Sequence, residues 1–191
     1  MTNRIFTEKG LPNDLLTSET FNNRRLKVEN DDPSYELGTQ FRISYPLTVS
    51  NSTAVTIRFI SPVNFELIEQ GLESHQSGFT LEAFRSAQGS PTGVFDSQVP
   101  VYKNNSQTTA TTYDRQVSVD TGGGFTQDEG QTAVETLNVL SASSTAQRTT
   151  SFAGSNGKRG LPAGTYYLRF TKLGGAGDSL GVFSLIFDER P

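Results

Sequence analysis

The chain has 191 residues, a net charge of −4, no cysteine, and only 34% hydrophobic residues. The missing thiols exclude disulfides, thiolate metal sites and cysteine nucleophiles. Acidic and basic residues are interspersed and no apolar run approaches the roughly 18 residues of a spanning helix, so neither nucleic acid nor membrane is an expected partner.

Thirteen Phe and six Tyr, without Trp, supply aromatic mass for one core. The rest is rich in Gly, Ser, Thr, Asn and Gln, a mix that suits short strands joined by polar loops. The opening residues Met1-Thr2-Asn3-Arg4-Ile5-Phe6 lack the apolar stretch of a signal peptide, which predicts synthesis and folding in a cytoplasm.

In chain order, residues 1–23 are polar and hold no period, and read as an N-terminal arm, frayed or ordered against a neighbouring subunit. Thr17-Ser18-Glu19-Thr20 would at most begin one helical turn. The β-sandwich domain is expected over 24–191. It opens with a short strand at 24–28, followed by the loop Glu29-Asn30-Asp31-Asp32-Pro33-Ser34. Phe41, Ile43, Tyr45, Leu47 and Val49 then alternate with Gln40, Arg42, Ser44, Pro46 and Thr48, the period of a half-buried strand. Pro46 cannot donate to a ladder, which predicts an edge or a bulge there. Val55, Ile57 and Phe59 continue the pattern after Asn51-Ser52, and the two runs read as a hairpin. Residues 63–73 fit both a strand and a helical stripe; the flanking strands favour strand.

Further strands are predicted at 79–84, 94–95, 99–102, around Val117 and Val119, and over 133–140. Residues 103–112 and 141–157 read as polar connecting stretches. The most regular pattern closes the chain. Tyr166, Leu168 and Phe170 alternate, Leu173-Gly174-Gly175-Ala176-Gly177-Asp178 follows as a loop, and Phe183, Leu185 and Phe187 alternate again. These two runs read as a hairpin whose six named residues face the core. About ten strands with frequent turn signals, and no strand–helix alternation, predict an all-β fold: an antiparallel β-sandwich, jelly-roll-like.

Candidate chemistry is sparse. Asn30, Asp31 and Asp32, with Glu29 and Glu36, are hard oxygen donors without EF-hand spacing, and read as a solvated acidic loop rather than a calcium site. Gly122-Gly123-Gly124 and Gly174-Gly175-Ala176-Gly177 lack the Lys-Ser/Thr and helix of a phosphate cradle. His75 is the only histidine, so a Ser-His-Asp triad would have to use it; it reads as an exposed loop residue. Tyr102, Tyr113 and Tyr167 would be platforms for a sugar, or packing residues. Among twenty acidic residues, nothing singles out a pair for glycoside hydrolysis. The expectation is a protein that is not an enzyme, with no catalytic residues, no cofactor and no metal.

Three segments carry a resemblance. Arg24-Arg25-Leu26-Lys27-Val28, Thr56-Ile57-Arg58-Phe59-Ile60-Ser61-Pro62-Val63-Asn64-Phe65, and the ending from Gly160-Leu161-Pro162-Ala163-Gly164-Thr165-Tyr166-Tyr167 through Asp188-Glu189-Arg190-Pro191 resemble structural proteins of tailed bacteriophages. The resemblance implies a virion protein that decorates or cements the capsid. Its partners would be the major capsid protein or other virion proteins, and it would form a homo-oligomer, with a trimer expected. A tail- or fibre-associated module that binds carbohydrate or a receptor is the alternative. The Leu-Pro-Ala-Gly-Thr-Tyr-Tyr turn and strand also resemble pre-peptidase C-terminal β-sandwich domains, which accompany secreted enzymes; here neither an export signal nor a catalytic domain is read.

Overall fold

The structure is a computed structural model describing residues 38–51, 53–75, 77–104, 113–140, 159–174 and 177–190, together with the backbone of 17–20, 23–26 and 148–153. The chain divides into two units, Met1–Pro33 and Ser34–Pro191. In the first, β1 (Thr17–Thr20) and β2 (Asn23–Leu26) form an antiparallel hairpin, so the segment read as a possible helical turn is a strand. The strand expected to open the sandwich belongs instead to this hairpin, within a first unit that runs past residue 23.

The second unit is an antiparallel β-sandwich. One sheet is built on β3 (Gln40–Val49), β5 (Asn64–Ser74), β13 (Arg148–Ala153) and β16 (Ser179–Arg190), in the order β13-β5-β16-β3. The short β14 (Arg159–Leu161) continues the β13 edge along β5. The other sheet is built on β4 (Val55–Ser61), β6 (Gly78–Arg85), β12 (Glu135–Val139) and β15 (Gly164–Leu173), in the order β12-β6-β15-β4. Successive strands change sheet, and the pairs β3–β16, β4–β15, β5–β13/β14 and β6–β12 nest inside one another. That nesting is jelly-roll connectivity.

The two expected hairpins are therefore not hairpins. β3 and β4 lie in different sheets, as do β15 and β16. Their apolar residues meet across the sandwich; Phe170 and Phe183 touch edge to face at 5.1 Å between centroids. Alternation reports only which side of a strand is buried, and strands facing each other across a core alternate just as paired ones do. The expected core residues hold: Tyr166, Phe170, Phe183, Leu185 and Phe187 are buried, and Leu168 packs against them. Among the described residues Pro46 lies where β3 is an edge, because β9 (Val101–Lys103) covers only Phe41–Ile43.

The ambiguity at 63–73 has a cause. Ile186 pairs with Glu69 and Phe187 with Leu67, so Ile68 is an extra, bulged residue. Phe65 and Leu67 face inward before the bulge; Gln70, Leu72 and Ser74 do so after it, which breaks a strict period of two. The sandwich is close at Gly181, where a Cβ would stand 2.6 Å from the Phe79 ring of the facing sheet and 2.0 Å from the Glu73 carbonyl oxygen of the neighbouring strand.

Between β6 and β12 the chain makes a long excursion, residues 86–134. It begins with a short 3-10 turn, Ser86–Gln88. β7 (Gly89–Thr92) follows, and β8 (Ser97–Gln98) replaces the strand expected at 94–95. β9 widens the first sheet beyond β3, while β10 (Ser118–Thr121) and β8 widen the second beyond β4. β11 (Gly124–Gln127) pairs with β7, and Phe125 packs with Phe84 and Tyr167 in a second, smaller core. Phe84 and Tyr167 come from β6 and β15. β13 lies inside the stretch read as a polar connection.

Candidate functional site

A concavity lies between one pair of edges of the two sheets, β14 and β12. β5, β14 and β16 supply Phe65, Leu67, Gln70, Leu161 and Leu185; β4, β6 and β15 supply Phe59, Ala83, Tyr166 and Leu168 from the opposite side. Its volume is about 50 Å³. Arg159 Nη1 donates to Glu135 Oε2 at 2.8 Å across the mouth, tying β14 to β12. The pair is part-exposed, so it stabilises the fold by at most about 1 kcal/mol. Tyr166 Oη donates to the Pro162 carbonyl at 2.7 Å, and the Ala163 amide donates to Asn64 Oδ1 at 3.0 Å; together they hold the turn at the rim. Burial pushes the Tyr166 phenol pKa up, against the opposing pull of Arg85 and Arg159.

A second polar cluster closes one end of the sandwich. Glu189 continues the inward alternation of Phe183, Leu185 and Phe187, and is fully buried. Its carboxylate accepts hydrogen bonds from the backbone amides of Gln116, at 3.1 and 3.0 Å to its two oxygens, and Val117, at 2.8 Å. Asp188 accepts from the Thr39 hydroxyl and pairs with Arg190 Nε at 2.8 Å, and Arg190 reaches on to Glu66. This acid-rich strand end thus fastens β16 to the approaches of β3 and β10. Burial first, then the nearby Glu189 and Asp188 carboxylates, hold the Tyr113 phenol well above its ordinary range.

On the outer face of the second sheet, two arginines are each held by a carboxylate and a ring. Arg58 bonds Asp120 at 2.9 Å and lies 4.6 Å from the Phe95 centroid. Arg169 bonds Glu82 at 2.8 Å and lies 4.7 Å from the Phe84 centroid. Such paired contacts orient side chains that would otherwise be mobile.

The residues singled out from the sequence do not converge on one place. Tyr167 is buried and stacks on Phe125 at 4.5 Å and 19°, so it packs. Tyr113 is half-buried, 6.3 Å from the Phe41 ring. Tyr102, on β9, is 57% exposed. His75 sits between β5 and β6, half-buried rather than exposed, and its backbone amide donates to Leu180 O at 2.8 Å. Gly122 and Gly174 are turn residues with positive φ. Glu29, Asn30, Asp31, Asp32 and Glu36 lie outside the described residues. Among the described residues no group of three or more acidic or histidine side chains is placed to hold a metal. No helix among them is long and apolar enough to cross a membrane.

Sequence reasoning missed Gln70, Glu135, Arg159 and Glu189. Only Glu189 left a signal, as the next inward position of a well-marked strand. Compared with models of protein families, with curated proteins and with solved structures, the chain has no match.

Proposed function

We propose that this chain is a non-enzymatic structural protein of a tailed-bacteriophage virion, decorating or cementing the capsid through surface contacts with the shell. What carries the reading is where the buried and half-buried charge goes. Glu189, Asp188, Arg169 and Arg58 all serve bonds that lock strand ends and the long excursion to the sandwich. Those side chains hold a scaffold in shape. A jelly roll is also a recurrent architecture of viral shells, although fold alone never fixes function. Two of the phage-like segments run through β4–β5 and β14–β16, the strands that frame the cleft.

In this reading the chain is made in the host cytoplasm and joins the particle as a homo-oligomer, a trimer on a symmetric shell. Its partners are the major capsid protein or other virion proteins. Mass spectrometry of purified particles from the phage or prophage that encodes the chain is the test. The chain is expected at a copy number in simple proportion to the shell protein; its absence from the particle ends the proposal.

A tail- or fibre-associated carbohydrate- or receptor-binding module is the second reading, favoured by the exposed ring of Tyr102 on an edge strand. Binding on a glycan array that disappears in Tyr102→Ala would move the assignment there.

A further inference from the structure

The second half of β3 is a strand edge, and two backbone bonds fix which way its peptide groups point. Thr39 O accepts from the Glu189 amide on the β16 side, and Gln40 O accepts from the Asn104 amide on the β9 side. In an antiparallel strand successive residues turn their N–H and C=O to alternate sides. Arg42, Ser44, Pro46 and Thr48 therefore point theirs away from β16. β9 pairs Tyr102 with Arg42 and Val101 with Ile43, then stops. Continued in register, Pro100 would face Ser44 and Gln98 would face Pro46. Pro100 has no N–H to give, and Gln98 already pairs with Asp120 in the other sheet. Among the described residues no strand covers Ser44–Val49, and the side chains of Ser44, Pro46 and Thr48 are exposed.

Exposed edges are usually protected by charge, by a bulge or by shortness. The outer edge of the second sheet is short, since β8 has only 2 residues. The open part of β3 has none of these protections. Ser44, Tyr45, Pro46, Leu47, Thr48 and Val49 carry no charge, and their pairing with β16 shows no register shift. Apart from the proline, they match the composition of segments that add to their own copies. We infer that Pro46 keeps a second copy of this chain from adding to β3. The occupant follows from the segment itself, which is self-complementary. Turned antiparallel about Pro46, the edge sets Ser44 against the copy's Thr48, a favourable hydroxyl pair on the outer face. Every antiparallel register that uses more than one of Ser44, Pro46 and Thr48 asks both copies for a Pro46 N–H. Neither has one, and the ring fills the place of the missing hydrogen. This edge is separate from the shell contact proposed above and stands or falls separately.

Pro46→Thr restores the donor and keeps a polar residue suited to a strand on the outer face. Sedimentation over a concentration series, beside the unaltered chain, tests it. The variant should self-associate roughly thirtyfold more tightly, the worth of a regained pair of backbone hydrogen bonds. Amide exchange of the variant should show Ser44 and Thr48 gaining protection as concentration rises. Adding Ser44→Lys and Thr48→Lys to Pro46→Thr sets like charges opposite each other in the self-paired register and should abolish the gain. Unchanged association in Pro46→Thr overturns the inference, as does a gain that survives both lysines. Where a variant fails to fold, amide exchange of the unaltered chain decides. Fast exchange at Ser44 and Thr48, with Tyr45, Leu47 and Val49 protected by β16, supports an open edge held in check by Pro46. Protection at Ser44 and Thr48 shows an edge already paired and refutes it.

Discussion

Glu189 shows how a charged residue comes to be wholly buried in this sandwich. Its carboxylate takes the place of a missing strand partner for the Gln116 and Val117 amides where the chain turns into β10. A buried donor left without an acceptor costs about 1–3 kcal/mol, so Glu189→Ala should lower stability by roughly 3 kcal/mol. Glu189→Gln, which keeps one acceptor oxygen, should cost about half of that. Urea denaturation measures both, and an unchanged midpoint for Glu189→Ala would show that the amides find other partners. Tyr113, beside this carboxylate, gives a pH dependence. Its phenol titrates at about 10 in the unfolded chain and above that in the folded one. Its contribution is therefore complete below pH 10 and lost as pH rises from there towards the folded value. Tyr166, raised in the same direction, adds to the loss. The urea midpoint should fall between pH 9 and pH 11, less steeply in Tyr113→Phe; equal slopes would remove Tyr113 from the account. Only the inward position of Glu189 was legible beforehand; its amide partners were not, because a lone Glu in an apolar alternation looks like a strand that has ended.

The 86–134 excursion is the element that most changes the plain jelly roll. Its β7–β11 hairpin sits over the outer face of the second sheet through Phe125, which stacks on Tyr167 and meets Phe84 at 5.2 Å. Phe125→Ala should cost about 3 kcal/mol, near the lower end for a buried aromatic, because the small cluster can relax. The damage should stay local. Hydrogen exchange should speed up in Gly89–Thr92 and Gly124–Gln127 while β3, β5 and β16 keep their protection; uniform loss would mean the excursion and the sandwich open as one unit. Strand positions were largely legible in the sequence, since β3, β4, β6, β15 and β16 each hold a clean period of two. Partners were not. Tyr166 and Phe183 alternate alike whether β15 and β16 pair or face each other, and only long-range packing decides between those arrangements. The bulge at Ile68 shifted the phase of β5 and so hid Gln70 from a count of inward positions. Glu135 and Arg159 meet through the fold alone.

Across the whole molecule, the first sheet is centred on β16, which stands between β3 and β5 and pairs with both along most of its length. A chain ending before Ser179 loses an interior strand and the Glu189 clasp together. It is expected to give a collapsed NMR spectrum rather than a slightly destabilised fold, and a well-dispersed spectrum would show that β3 and β5 close on their own. The same arrangement sets an order on synthesis. Val49 pairs with Ser179, so everything between them must leave the ribosome before that register exists. Until then β3 and β5 each show a bare edge and an apolar face to their surroundings. Non-local pairing of this kind makes folding slow and aggregation its competitor. The yield of folded chain is therefore expected to fall as the interval between translating β3 and releasing β16 lengthens, which slowed translation after Val49 would measure.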